Sequence, residues 1–187
     1  MALFKNKYRV ESTRLKNWDY TQTGCYFVTI CTKNRKCYFG EIVDGKMKLS
    51  EIGKIAYENW IGIPDHFKNV ELDEFVIMPN HLHAIIIIAN VPSVETRHGS
   101  VETRHGVSLH VNNKFSQPIS GSLSVTMNQF KASVKRLCNV KNYDFTWQRN
   151  YYEHIIRDDG ELNRIRKYIT DNPANWELDE NNPVITN

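Results

Sequence analysis

Long apolar runs are missing from this chain. Nowhere in its 187 residues do 18 apolar residues follow one another, so no transmembrane helix is expected. The opening Met1-Ala2-Leu3-Phe4-Lys5-Asn6-Lys7 has no apolar stretch of the length a secretory leader needs. Cysteine is scarce, and Cys25, Cys31, Cys37 and Cys138 make no Cys-x-x-Cys pair. That argues against a thiolate zinc site and for reduced thiols in a cytoplasmic protein. A surplus of one charge is lacking too: 24 Lys and Arg face 21 Asp and Glu, a net charge of +3. Such a balance permits a nucleic-acid partner without demanding one, and only if the cations gather on one face.

What is present is the composition of a globular domain, 41% hydrophobic and 24% charged. Residues 1–187 are expected to form one domain. Residues 1–20 read as a polar, basic arm. Cys25–Thr32 is rich in β-branched and aromatic residues and reads as a core strand. An extended pair over about 37–49 turns at Asp44-Gly45. Ser50 caps a helix over about 51–60 with Ile52, Ile55, Ala56 and Trp60 at helical spacing, and Gly62-Ile63-Pro64 stops it. Strands follow at about 71–78 and 81–89, turning at Pro79-Asn80.

The segment 91–121 carries Ser-Val-Glu-Thr-Arg-His-Gly twice in tandem, at 93–99 and 100–106. Two copies are too few for a solenoid, and the Ser, Asn and Gly around them predict a flexible insertion. A second helix is expected over about 123–138, buried through Met127, Phe130, Val134, Leu137 and Cys138. Residues 145–156 read as one long strand. Asp158 and Glu161 form a capping box for a last helix that ends near Asn172, before Pro173. The order predicts an α+β fold, an antiparallel sheet with helices packed on one face.

The chemistry-bearing stretch is Met78-Pro79-Asn80-His81-Leu82-His83. Histidines at i and i+2 of a strand share a face, about 6–7 Å apart, so both can reach one metal ion. Alone, the pair reads equally well as two hydrogen-bonded histidines at a strand mouth. On the last helix Tyr168 and Asn172 differ by about 40° and stack one turn apart. Lys131, Lys135, Arg149, Arg157 and Arg164 are candidates for phosphate contacts, and Trp147, Tyr151 or Tyr152 for base stacking.

Met78-Pro79-Asn80-His81-Leu82-His83, Trp147-Gln148-Arg149 with His154-Ile155-Ile156-Arg157, and Tyr168-Ile169-x-x-Asn172-Pro173 stand in the order and spacing of one family. The chain resembles a single-tyrosine HUH transposase of the REP-associated (RAYT) type. The resemblance implies a ferredoxin-like sheet and metal-dependent cleavage and strand transfer on single-stranded DNA beside a hairpin, through a 5′-phosphotyrosine. It implies His81, His83 and Asn172 as ligands of a divalent cation, Mg²⁺ or Mn²⁺, and Tyr168 as nucleophile. Classical members work as homodimers and REP-associated ones act as monomers, and the resemblance admits both. The rival expectation is a domesticated relative that binds DNA hairpins without cutting them.

Overall fold

A computed structural model describes residues 23–89 and 121–183. The expected basic arm and the duplicated heptad lie outside the described residues, as does the insertion apart from Gly121.

Local sequence signals account for most element boundaries. Strand β1 is Gly24–Cys31; β2 (Gly40–Val43) and β3 (Lys46–Leu49) pair across Asp44 and Gly45, both at positive φ (50° and 70°), as a two-residue hairpin of that handedness requires. Helix α1 (Glu51–Ile61) begins where Ser50 Oγ accepts from the Gly53 N–H, and ends at Gly62. A short α2 (Ile63–His66), with Pro64 in its first turn, follows where only a stop was expected. Then come β4 (Val70–Ile77), β5 (His81–Ile88), α3 (Leu123–Val140), β6 (Tyr152–Ile156) and α4 (Asp159–Asp171). At the start of α4 the Asp158 side chain accepts from the Glu161 N–H.

The main sheet is antiparallel in the order β4-β5-β1-β6. With α1 and α3 as the crossovers, this is the ferredoxin-like arrangement the sequence resemblance implies. Alternation divides the sheet into two faces. Tyr26, Val28, Ile30, Leu82, Ala84, Ile86 and Ile88 join Trp60, Met127, Phe130 and Val134 in the main core. The opposite face carries a smaller cluster of Ile85, Ile156 and Ile169, flanked by Phe27, Leu162 and Ile165. Helices α1 and α3 thus cover one face, and α4 packs on the other. β5 is central and apolar on both sides, so its residues are buried whichever way they point.

One correction concerns the segment before the last helix, which itself ends near Asn172 as expected. The long strand expected over 145–156 is a strand only at Tyr152–Ile156; before it, a single bridge joins Trp147 to Thr32. The Lys131 ammonium donates to the carbonyls of Gln148 (2.7 Å) and Arg149 (3.1 Å), and the Trp147 indole donates to the Lys131 carbonyl. With the backbone bonds from the Lys33 N–H to the Thr146 carbonyl and from the Gln148 N–H to the Cys31 carbonyl, they hold this stretch in place of a continuous ladder. Beyond Pro173 the chain continues as a 3₁₀ helix, Pro173–Leu178, and turns back toward the sheet.

Candidate active site

β1 and β5 pair so that Thr29 lies opposite His83 and Cys31 opposite His81. Both histidines occupy the mouth of the central strand, on the face that α4 covers, and both are buried. Each ring is fixed through its Nδ1. The His81 Nδ1 is 2.8 Å from Asn80 Oδ1, and that of His83 is 2.8 Å from Thr29 Oγ1. Asn80 in turn donates its amide hydrogens to the carbonyls of Arg35 and Asn181, which leaves its oxygen to accept from His81. His81 therefore carries its proton on Nδ1 and presents a lone pair at Nε2. Burial holds the imidazoles neutral, pushing each pKa from 6.5 down to about 3, with Arg35 adding to the effect at His81 and His81 adding to it at His83.

The 3₁₀ turn delivers a third group. Asp179 is 8% exposed, and its Oδ1 accepts from the backbone N–H and the side-chain amide of Asn181. Its Oδ2 lies 3.7 Å from His81 Nε2, too far for a hydrogen bond, and neither atom has a hydrogen-bond partner among the described residues. Two lone-pair-bearing atoms facing each other out of water are unfavourable unless something positive lies between them. The ligand atoms of His81, His83 and Asp179 all lie within 4.8 Å of one another. Two neutral imidazoles and a carboxylate, each fixed from outside the cluster, fit a divalent cation.

Tyr168 and Asn172 flank the cluster from α4. The Tyr168 hydroxyl is 3.1 Å from His83 Nε2, and its ring meets those of His83 and Phe27 edge-on. It is 47% exposed, open to a large partner. Burial raises its pKa, Asp179 adds to the rise, and a hydrogen bond with Asn172 opposes it. Asn172 is buried, and its Oδ1 has no partner among the described residues. Helix α4 is seated by Arg166, whose Nε and Nη2 grip the Asp73 carboxylate, the Nε at 2.9 Å. Asp73 sits in an irregularity of β4 between Leu72 and Phe75, where the bulge re-aims it toward α4.

The five cations named from the sequence part into two groups. Lys131 and Lys135 are braces that donate to the carbonyls of 145–149. Arg149, Arg157 and Arg164 are exposed. Arg149 borders an open groove of about 630 Å³ together with Lys33 and Arg35, and Arg164 lines a cavity beside Tyr168. In the sequence Asn80 reads only as a turn residue within the histidine motif, Thr29 and Asp179 carry no site role, and no spacing ties Asp179 to that motif.

A protein of Haemophilus influenzae, described as uncharacterized, is 40% identical over 170 residues, spanning 90% of this chain and 91% of its own length. The two belong to one family. No family model matches the chain. Among solved structures, a REP-associated tyrosine transposase bound to a REP hairpin superposes with a TM-score of 0.58 at 18% identity, over 91% of this chain and 77% of that one. The likeness is one of fold. No helix among the described residues is long and apolar enough to cross a membrane.

Proposed function

We propose that this chain is a metal-dependent nuclease and strand transferase that cuts single-stranded DNA beside a hairpin through Tyr168. The observation that carries the reading is the position of the accessible Tyr168 hydroxyl, 3.1 Å from His83 in the buried cluster of His81, His83 and Asp179. The fold shared with a transposase solved on a REP hairpin supports hairpin DNA as the partner.

A divalent cation, Mg²⁺ or Mn²⁺, held by His81, His83 and Asp179 with Asn172 as a further ligand, would supply Lewis-acid polarisation of the scissile phosphate. The protein's own groups position the reaction. Thr29 and Asn80 hold the imidazoles in orientation, and Arg166 seats the helix that presents Tyr168. The phenolic oxygen attacks phosphorus and loses its proton. The bond from phosphorus to the 3′ oxygen breaks, and that oxygen leaves as a protonated 3′-hydroxyl. The product is a 5′-phosphotyrosine. One phosphorus–oxygen bond has replaced another, so a 3′-hydroxyl can reverse the step and join strands without an energy source. Burial, with Asp179 adding to it, pushes the Tyr168 pKa up. Arg149, Arg157 and Arg164 supply phosphate contacts outside the site.

The test is a covalent adduct that survives denaturation, formed with hairpin oligonucleotides bearing random single-stranded flanks and Mn²⁺. Tyr168→Phe abolishes the adduct and leaves hairpin binding within about twofold, because a hydroxyl at the protein–DNA boundary adds little net affinity. An undiminished adduct in that variant refutes the nucleophile. Hairpin binding with no adduct on any flank favours a binding protein instead.

A further inference from the structure

Two cavities of about 370 Å³ each meet at Tyr168, and they share one wall, built from Phe27, Tyr152 and Tyr168. Their chemistry differs. The chamber on the α4 side is lined by Arg164 together with His154 and Glu161, which bond each other, and Arg164 is the cation it offers a phosphate. The other chamber opens at one end on His83 and so on the cluster described above. Away from that end its lining has no Lys or Arg and presents the amides of Gln148, Asn150 and Asn181, with Tyr151 and Glu180. Away from the His83 end a phosphodiester would meet no cationic side chain and one repelling carboxylate, so the scissile phosphate belongs at the His83 and Tyr168 end. A neutral, flat group with hydrogen-bonding edges would be fully served.

We infer that this second chamber is a nucleobase slot, holding one unpaired base next to the phosphate that Tyr168 attacks. The inference rests on the reading of the site given above. Tyr152 is the stacking platform: it is 50% exposed, and it meets Phe27 edge-on at 6.4 Å between centroids, which fixes one edge and leaves a face open. Of the other two aromatic candidates, Trp147 packs tilted or edge-on against Phe39, Phe130 and Phe145, with its indole N–H bonded to Lys131. The partly buried Tyr151 packs against the main core while lining the same chamber. Gln148 and Asn150 are exposed, and their side-chain amides make no hydrogen bond among the described residues. Their backbone is nevertheless pinned: Gln148 donates to the Cys31 carbonyl, and the Lys131 ammonium gathers the carbonyls of 148 and 149. Unspent amides on a pinned backbone can read the donor and acceptor pattern of a base edge without first being ordered. Lys131 thereby acts as a positioning residue for the slot.

The experiment measures binding in EDTA, where no cleavage intrudes, by fluorescence anisotropy. The probes are single-stranded 12-mers of dA, dC or dT and an abasic 12-mer of the same backbone. The wild-type chain is expected to bind dT12 about tenfold or more tighter than the abasic strand, the scale of one stacked base. Tyr152→Ala closes most of that gap, Tyr152→Phe restores it, and both retain the wild-type melting temperature because the side chain is exposed. Gln148→Ala with Asn150→Ala leaves the gap and levels the ranking among dA12, dC12 and dT12. An unchanged gap in Tyr152→Ala overturns the slot, as does a failure of every strand to bind. The adduct assay separates the two conclusions. Adducts with no Tyr152 dependence overturn the slot alone, and a Tyr152-dependent gap with no adduct overturns the strand-transfer reading alone.

Discussion

The imidazoles of His81 and His83 are each tied by the nitrogen that faces away from the cluster, and Asp179 is tied by the oxygen that faces away from it. The remaining atoms converge, those of His81 and Asp179 without a hydrogen-bond partner among the described residues and that of His83 beside the Tyr168 hydroxyl. Removing one convergent group is therefore a different operation from trimming a surface residue. Asp179→Ala is expected to weaken Mn²⁺ binding, read by calorimetry, by more than about tenfold, the lower bound for losing even an outer-shell partner of a metal site. The same variant loses any rise in melting temperature that Mn²⁺ gives the wild-type protein, since an ion that binds only the folded chain stabilises it by mass action. Equal Mn²⁺ affinity in variant and wild type would remove Asp179 from the site. The sequence exposes the two histidines through their spacing on one strand. Asp179 is hidden from such reasoning because only the long-range return of the chain after Pro173 brings it there.

At the scale of elements, α4 has two anchors. Its first turn is set by Asp158 and Glu161, the latter also accepting from His154 and the Arg157 N–H. Farther along, Arg166 holds Asp73 of β4. The hydrogen bonds from Arg166 hold the Asp73 carboxyl below its ordinary value of 3.8. A carboxyl depressed in the folded state contributes stability that is complete above its unfolded value and is lost as the pH falls through the folded one. Asp73→Asn should thus melt below the wild type at pH 7, and the two melting curves should draw together from about pH 4 downward. A gap that persists unchanged into acid would assign the loss to packing rather than to the ion pair. The capping box at Asp158, the Ser50 cap and the Asp44-Gly45 hairpin were all legible in the sequence because each is decided by residues within four positions. The misread strand over 145–156 shows the limit of local reasoning. Its aromatic and β-branched composition favours extension, yet β1 offers ladder partners only to 152–156, and the remainder is held by α3. The face that α4 covers was likewise settled by Ile85, Ile156 and Ile169 meeting from three separate segments.

For the molecule as a whole, β5 joins the two halves of the site to one core. Its even-numbered residues are sealed under α1 and α3, and its odd-numbered ones carry the histidines and then Ile85 beneath α4. The alternation of strands and helices in the sequence points to the layered fold; the register of β1 against both neighbours, which sets Thr29 between His83 and Tyr152, is a long-range matter. His83 and Tyr168 meet within this one chain. This has a genetic consequence. Under the proposed mechanism each copy needs both Tyr168 and His81, so a mixture of Tyr168→Phe and His81→Ala proteins should form no more adduct than either alone. Recovery of activity on mixing would mean that helices are traded between copies. Without such trading, a defective copy in the same cell cannot rescue, or poison, a sound one.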